Sequence, residues 1–436
     1  MQLMKYIKIS FILIAIICLC SFFYPPEPGG DEVLAIRGGT LVTITNGTIK
    51  NGILLIEGGK ITAVGKDIAI PKKAEIINAE KYIVLPGLID SFTNLGAVET
   101  EGIEETKEYD EATSPVTPHM RIIDGINSES SLFPAAIKTG VTTALCAPGE
   151  GNLLSGQSAL IQLRGDSIEE MVLKFPVAVH GTLGEPPKLR YGAKNINPST
   201  RMGEAALLRQ TLIDAQDYAD KIRSYKEKLK DYEEKVKEGK EEKDKKPVPP
   251  TTNIMLQSLI PVIKGELPLI LRANRYDDIL TALRIAAEFK LQIILNYGSD
   301  AYKAAKKLAA NNIPVLIGPI PPYRSTQETL GTLYENAALL HKAGVKIAFQ
   351  TGSAHNLGSL LHQASIAVSY GLPYEEALKA LTINPAQIFG LENELGSLEK
   401  GKRADIVMFD GDPLNSLSHV KMVMIGGQIV FKESSQ

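Results

Sequence analysis

The chain carries six histidines in 436 residues, so metal-assisted chemistry would have few imidazoles to draw on. His180 closes the apolar run Val177–His180, His119 follows the loop-like "SPVTP", and His355 lies shortly after the run Lys346–Phe349. Imidazole nitrogens offer lone pairs to a borderline divalent ion, and three of them at one opening could make a rearranged single-zinc site. His341, His362 and His419 fall in helix or loop patterns and read as structural. Arg272, in "LILRANR", offers a second chemistry: a permanently charged, planar guanidinium that can hold a carboxylate or phosphate. Arg275, Arg121 and Gln350 are its candidate companions. An unpaired buried charge is too costly to tolerate, so Arg272 needs either a ligand or a neighbouring acid such as Glu185 or Asp90. Nucleophilic schemes are poorly supported. Ser155 and Cys146 read as lying in loops after predicted strands, without a G-x-S-x-G motif or an evident base, and "GEGNLLSG" lacks the lysine of a phosphate loop.

These groups must be positioned by two kinds of element. From Val33 to Leu85, short apolar runs are broken by Gly-Gly, Asn-Gly and Lys-Asn-Gly, the punctuation of hairpins. The same texture returns in "GSLEKGKRADIVMFDGDPL" and "VKMVMIGGQIVFK". Neither end can build a core alone, so residues 31–85 and 391–436 are expected to join as one small β-sandwich. Between them, residues 86–390 alternate apolar strands with helices. The strands predicted are Tyr82–Ile89, Val141–Cys146, Val177–His180, Pro268–Leu271, Gln292–Leu295, Pro314–Ile317 and Lys346–Phe349. Repeated strand–helix units predict an α/β fold, a (β/α)8 TIM-like barrel, with a doubly wound open sheet as the other arrangement. A charged helical insertion at about 201–250 interrupts the rhythm. Its Ile222, Tyr225, Leu229, Tyr232 and Val236 repeat at coiled-coil spacing until Pro247, Pro249 and Pro250. The stripe either folds onto the domain or projects toward a partner.

The stretches "KYIVLPGLIDSFTNLG", "AAIKTGVTTALCAPGEGN", "YEEALKALTINPAQIFGL" and "LGSLEKGKRADIVMFDGDPL" together resemble the amidohydrolase superfamily, in its imidazolonepropionase-like and dihydroorotase-like branch. The similarity runs from about Val33 to Phe431 and implies a barrel with a flanking β-sandwich. It also implies hydrolysis of C–N bonds in amides, cyclic imides or dipeptides by metal-activated water. Placed on this chain, the family's metal ligands are substituted. The paired histidines after strand one become Phe92 and Asn94, and the mid-barrel ligand becomes His180. The strand-five histidine falls at Arg272 or Asn274, the strand-six histidine at Asn296 or Tyr297, and the strand-eight aspartate at Gly352.

The expectation is therefore a superfamily member without the usual divalent-metal site and with no cofactor, acting as a non-catalytic binding or partner subunit. Its pocket would comprise Arg272, Arg275, His180, Gln350, His355 and His119, offered to a small anionic ligand. The alternative is an active hydrolase of cyclic amides or acyl-amino acids that uses one divalent metal on His180, His355 and His119. A complete relative or a second copy of the chain is the expected protein partner. A net charge of −3 shows no basic stripe for nucleic acid. Residues 1–30 carry Lys5 and Lys8 ahead of the uncharged run Ile9–Pro26, which reads as a signal peptide or N-terminal anchor. Export is expected, to a periplasmic or membrane-anchored location, with Leu19 a poor fit to a lipoprotein site. Cys18 and Cys20 lie in that segment, which leaves Cys146 alone in the body and rules out an internal disulfide there.

Overall fold

A computed structural model of the chain describes residues 33–100, 103–238, 245–320 and 326–433. The expected signal or anchor lies outside the described residues. The two glycine-rich ends, expected as a small β-sandwich, meet in one hydrogen-bonded sheet. β1 (Val33–Val42) pairs antiparallel with β2 (Thr48–Glu57), which turns through Gly58 and Gly59 into β3 (Lys60–Gly65). Both turn glycines have positive φ, 57° and 72°, as tight hairpins require. β4 (Glu75–Asn78) and β5 (Ile83–Pro86) run parallel to β1. β16 (Ile406–Phe409) then pairs with β5 and continues to β17 (Val420–Ile425) and β18 (Gln428–Lys432). The order is β18-β17-β16-β5-β1-β2-β3, with β4 beside β1. Ile36, Leu54, Val84, Ile406 and Met424 are fully buried in this unit's own core, so neither end of the chain forms it alone.

The run predicted as one strand over Tyr82–Ile89 is broken at Gly87. On one side β5 belongs to the small sheet. On the other, β6 (Leu88–Thr93) enters the larger α/β body. The Gly87 amide donates to the Asp405 carbonyl at 2.8 Å, and a methyl group built on Gly87 would overlap the Thr142 side chain. Crowding of this kind in a packed core costs about 1–3 kcal/mol. Gly87→Ala is expected to lower stability by about that amount, read as a shift in urea midpoint; an unchanged midpoint would show that the joint is loose.

In the body, β6 pairs parallel with β7 (Val141–Cys146), which pairs antiparallel with β9 (Ala159–Gln162) and through it with β10 (Val172–Lys174). A second sheet runs β8 (Leu154–Gln157), β11 (Val179–Thr182), β12 (Leu269–Arg272), β13 (Ile293–Asn296), β14 (Val315–Ile317) and β15 (Ile347–Phe349). From β11 onward its neighbours are parallel. Only Ser158 separates β8 from β9. The segment expected as a loop after β7 is therefore a bent strand, antiparallel to both neighbours, that links the two sheets. Ser155 lies within that strand and not in a loop. The ladder does not close into a ring among the described residues, and the fold is mixed α/β. Between β15 and β6 the join is made by single bonds, such as Gly352 N–H to the Phe92 carbonyl at 3.0 Å.

The helix between β12 and β13, Tyr276–Phe289, buries Ile279, Ala282, Ile285, Ala286 and Phe289 at spacings of three and four, the stripe that turns a helix onto a sheet. The insertion is one helix, Arg201–Lys237, capped where Thr200 accepts from the Gly203 amide. By the rise of an α-helix it is ~55 Å long. Its first half buries Leu208, Leu212, Ala215 and Tyr218, and Arg201 ties it to Asp278 (2.8 Å) and Glu328 (3.1 Å). Beyond Tyr218 it buries nothing fully: Ile222, Tyr225, Leu229 and Tyr232 are half-exposed, and Val236 is exposed.

Candidate functional site

Asp90 and Phe92 lie on β6, and Asn94 follows just beyond its end. Each is committed. The fully buried Asp90 carboxylate accepts from the Thr351 hydroxyl (2.6 Å), the Thr351 amide (2.9 Å) and the Phe92 amide (3.3 Å). It thereby stitches β6 to the chain leaving β15. Burial outweighs these bonds and lifts its pKa to about 6. The Phe92 ring packs against the imidazole of His180 (centroids 5.7 Å apart) and edge-on to Tyr297 (6.1 Å). Asn94 accepts from the Ala354 amide at 2.7 Å.

The centre of the group is an ion pair. Arg272 ends β12 and donates from Nη1 to Glu150 Oε2 at 2.7 Å, with its guanidinium over the Tyr297 ring, 4.6 Å from the centroid. Asn296 Nδ2 reaches Glu150 Oε1 at 3.4 Å, and the Tyr297 hydroxyl bonds to the same carboxylate. Desolvation raises the Glu150 pKa, partly opposed by Arg272, and burial raises that of the Tyr297 hydroxyl. The acid beside Arg272 is thus neither Glu185 nor Asp90. Arg272 Nε is buried without a partner.

Glu150 stands between Gly149 and Gly151 in the loop after β7, and a salt bridge lies against that loop. Arg190 and Asp110 form a two-pronged pair, one prong at 2.8 Å, and side chains built on Gly149 or Gly151 would run into Asp110 or Arg190 respectively. The loop can pass beneath the pair only because both positions lack a Cβ. Phe92, Tyr109, Glu150, Arg190, Arg272 and Ser353 contribute to the lining of a cavity of about 300 Å³ there. A larger groove, about 770 Å³, lies at the opposite ends of the strands, around Val177, Pro268 and Pro314. Sites in sheets of parallel strands form where the strands end and their loops begin, which favours the smaller cavity.

A family model described as Amidohydrolase family matches residues 280–430. A crystal structure of an amidohydrolase from Thermotoga maritima MSB8 superposes with a TM-score of 0.82 and 35% sequence identity, covering 92% of this chain and all of that one. The chain belongs to the amidohydrolase family. Among curated relatives, "Amidohydrolase tasK" of Hapsidospora irregularis is 24% identical over 88% of this chain, which spans 40% of its length. The imidazolonepropionase of Geobacillus kaustophilus is 25% identical over 89% of this chain and 92% of its own. A prolidase complexed with N-methylphosphonate-L-proline shares the fold at 15% identity and a TM-score of 0.56. Structural neighbours of this kind imply a TIM barrel with a small sheet domain.

The metal that this family relationship implies meets a poor donor set. Phe92 has no lone pair to give, the Asn94 oxygen is taken by Ala354, and Asp90 is consumed by Thr351. Arg272, in the stretch where the resemblance expects a strand-five histidine, brings a guanidinium already paired with Glu150. Gly352 has φ +74°, and a side chain begun there would meet the Tyr297 hydroxyl at 3.0 Å. Two imidazoles keep a buried nitrogen without a partner, His119 at Nδ1 and His180 at Nε2, and of these only His180 stands in the cluster around Phe92. Burial drives the His180 pKa down to about 3, so that ring is neutral. One nitrogen does not hold a divalent ion. No group of three His, Cys, Asp or Glu suited to a metal gathers among the described residues.

The other expected pocket residues disperse. Arg275 pairs with Asp277, Gln350 donates to the Gly318 carbonyl, and His355 is exposed on the turn Ala354–Asn356. His119 is half-buried, and Arg121 stacks over Phe175. Asn274 accepts from Ser299 and anchors a loop. Cys146 is fully buried, which raises its thiol pKa and makes it a poor nucleophile. Glu150, Asp110, Arg190 and Tyr109 did not emerge from the sequence. Glu150 alone left a signal, as a charged residue held between glycines just past a strand.

Proposed function

We propose that this chain is an amidohydrolase-family protein that works without the divalent-metal site, as a binding or partner subunit and not as a hydrolase. One observation carries the reading: the Arg272–Glu150 ion pair, backed by Tyr297 and Phe92, stands where the family resemblance places metal and ligands. A divalent ion beside a buried guanidinium would add like charge to like, and both carboxylates of the described lining, Glu150 and Asp110, are already paired with arginines. In this reading the two sheets of the body act as one (β/α)8 barrel, and the protein is exported through its N-terminal segment. A complete relative or a second copy supplies the partner, with the exposed half of the helix Arg201–Lys237 as one candidate contact.

The test is metal content after purification without chelator and incubation with zinc, manganese and iron in turn. Less than about a tenth of an equivalent is expected for each, since no three donor side chains gather at one point among the described residues. One equivalent or more of any would overturn the reading and bring back a metallohydrolase using His180, His355 and His119.

A further inference from the structure

Resting on the metal-free reading, we infer that the cavity at Arg272 and Glu150 binds a small zwitterion of the amino-acid type, carrying an acid and an ammonium group close together. The charges in its wall carry the argument. Arg272 is matched by Glu150, and Arg190 by Asp110, so the lining holds two cations and two anions. A simple anion drawn to Arg272 would have to displace Glu150 and leave a desolvated carboxylate with no cation. A simple amine drawn to Glu150 would strand Arg272 in the same way. Both outcomes leave a charge without its partner, which proteins tolerate poorly. A zwitterion avoids this: its acid faces the guanidinium, its ammonium faces the carboxylate, and both charges stay compensated.

Three further features fit such a guest. Glu150 has little freedom to retreat, because its loop is confined between flanking glycines and the Asp110–Arg190 pair. Arg272 is under-bonded, with Nε lacking a partner, and its plane is set by the Tyr297 ring. Phe92 supplies an apolar wall for the aliphatic part of a guest. The volume, about 300 Å³, sits at the small end of ligand sites.

The experiment is calorimetric titration of the purified protein with the twenty common L-amino acids, each compared with its deamino acid and its decarboxylated amine at constant ionic strength. At least one amino acid is expected to bind about tenfold or more tighter than both of its single-charge analogues. If none does, or if an acid or amine outbinds its parent, the inference is overturned. Glu150→Gln gives an independent check, with folding confirmed by circular dichroism. Removing the competing carboxylate should raise affinity for the deamino acid about tenfold, and an unchanged ratio would count against the site. A stoichiometric metal would instead sink the metal-free reading beneath it. A metal-free protein without amino-acid preference would sink this inference alone.

Discussion

Arg272→Met is expected to lower the unfolding free energy by about 3 kcal/mol, because removing one member of a largely buried ion pair strands the other. Glu150 would be left with Asn296 and Tyr297, neither of which carries a balancing charge. Its carboxyl, already raised by burial, would rise further once the lowering influence of Arg272 is gone. The sign then follows. A carboxyl whose folded pKa lies above its unfolded value contributes stability at low pH and loses it as pH rises through the folded pKa. The variant should therefore be least impaired in acid and most impaired above neutrality. Combining Arg272→Met with Glu150→Leu should cost less than Arg272→Met alone, since paired charges replaced together leave nothing stranded. Urea denaturation of the two single variants and the double variant measures this coupling. Additive losses would mean that Arg272 and Glu150 are not partners in solution.

The second large effect belongs to His180. With its pKa driven from 6.5 to about 3 by burial, the folded chain refuses a proton that the unfolded chain accepts throughout that window. Stability from this residue is complete above 6.5 and lost as pH falls, by about 1.4 kcal/mol per pH unit. Between pH 7 and pH 4 the loss is about 3 kcal/mol. His180→Leu has nothing to protonate and should escape that loss, while being at least as stable at pH 7 because the orphaned Nε2 is gone. Asp90 and Glu204 work in the opposite direction. Burial raises them to about 6 and 7, so what they contribute in acid fades as pH rises through those values. Both remain in the variant, and their effects cancel in the comparison. Denaturation curves at pH 7, 5.5 and 4 decide it: parallel pH slopes for wild type and His180→Leu would show that His180 is hydrated or charged in the fold.

Much of the architecture was legible because its signals are local. Alternating apolar runs and helical stripes located β7 and β11 to β15 within a residue or two, and hairpin glycines marked both halves of the small sheet. Two features escaped for reasons that are not local. Tyr82–Ile89 reads as one apolar strand, but the contact of Gly87 with Thr142, 55 residues away in sequence, divides it between two sheets. Leu154–Gln162 looks like a glycine-bearing loop because an antiparallel strand wedged between two others is specified by its neighbours and not by its own pattern.

The chemistry divides in the same way. Residue types alone determined that Phe92 and Gly352 have no side-chain lone pair to offer a metal, however the chain folds. They also determined that Arg272, a permanent charge at a strand end, must be answered by something. Only the tertiary structure decided what answers it. Glu150 lies 122 residues away and reaches Arg272 because Gly149 and Gly151 let its loop slip beneath the Arg190–Asp110 pair. Coulombic partnership depends on distance and desolvation, and a chain's order of residues states neither until loops from different strands are brought to one opening.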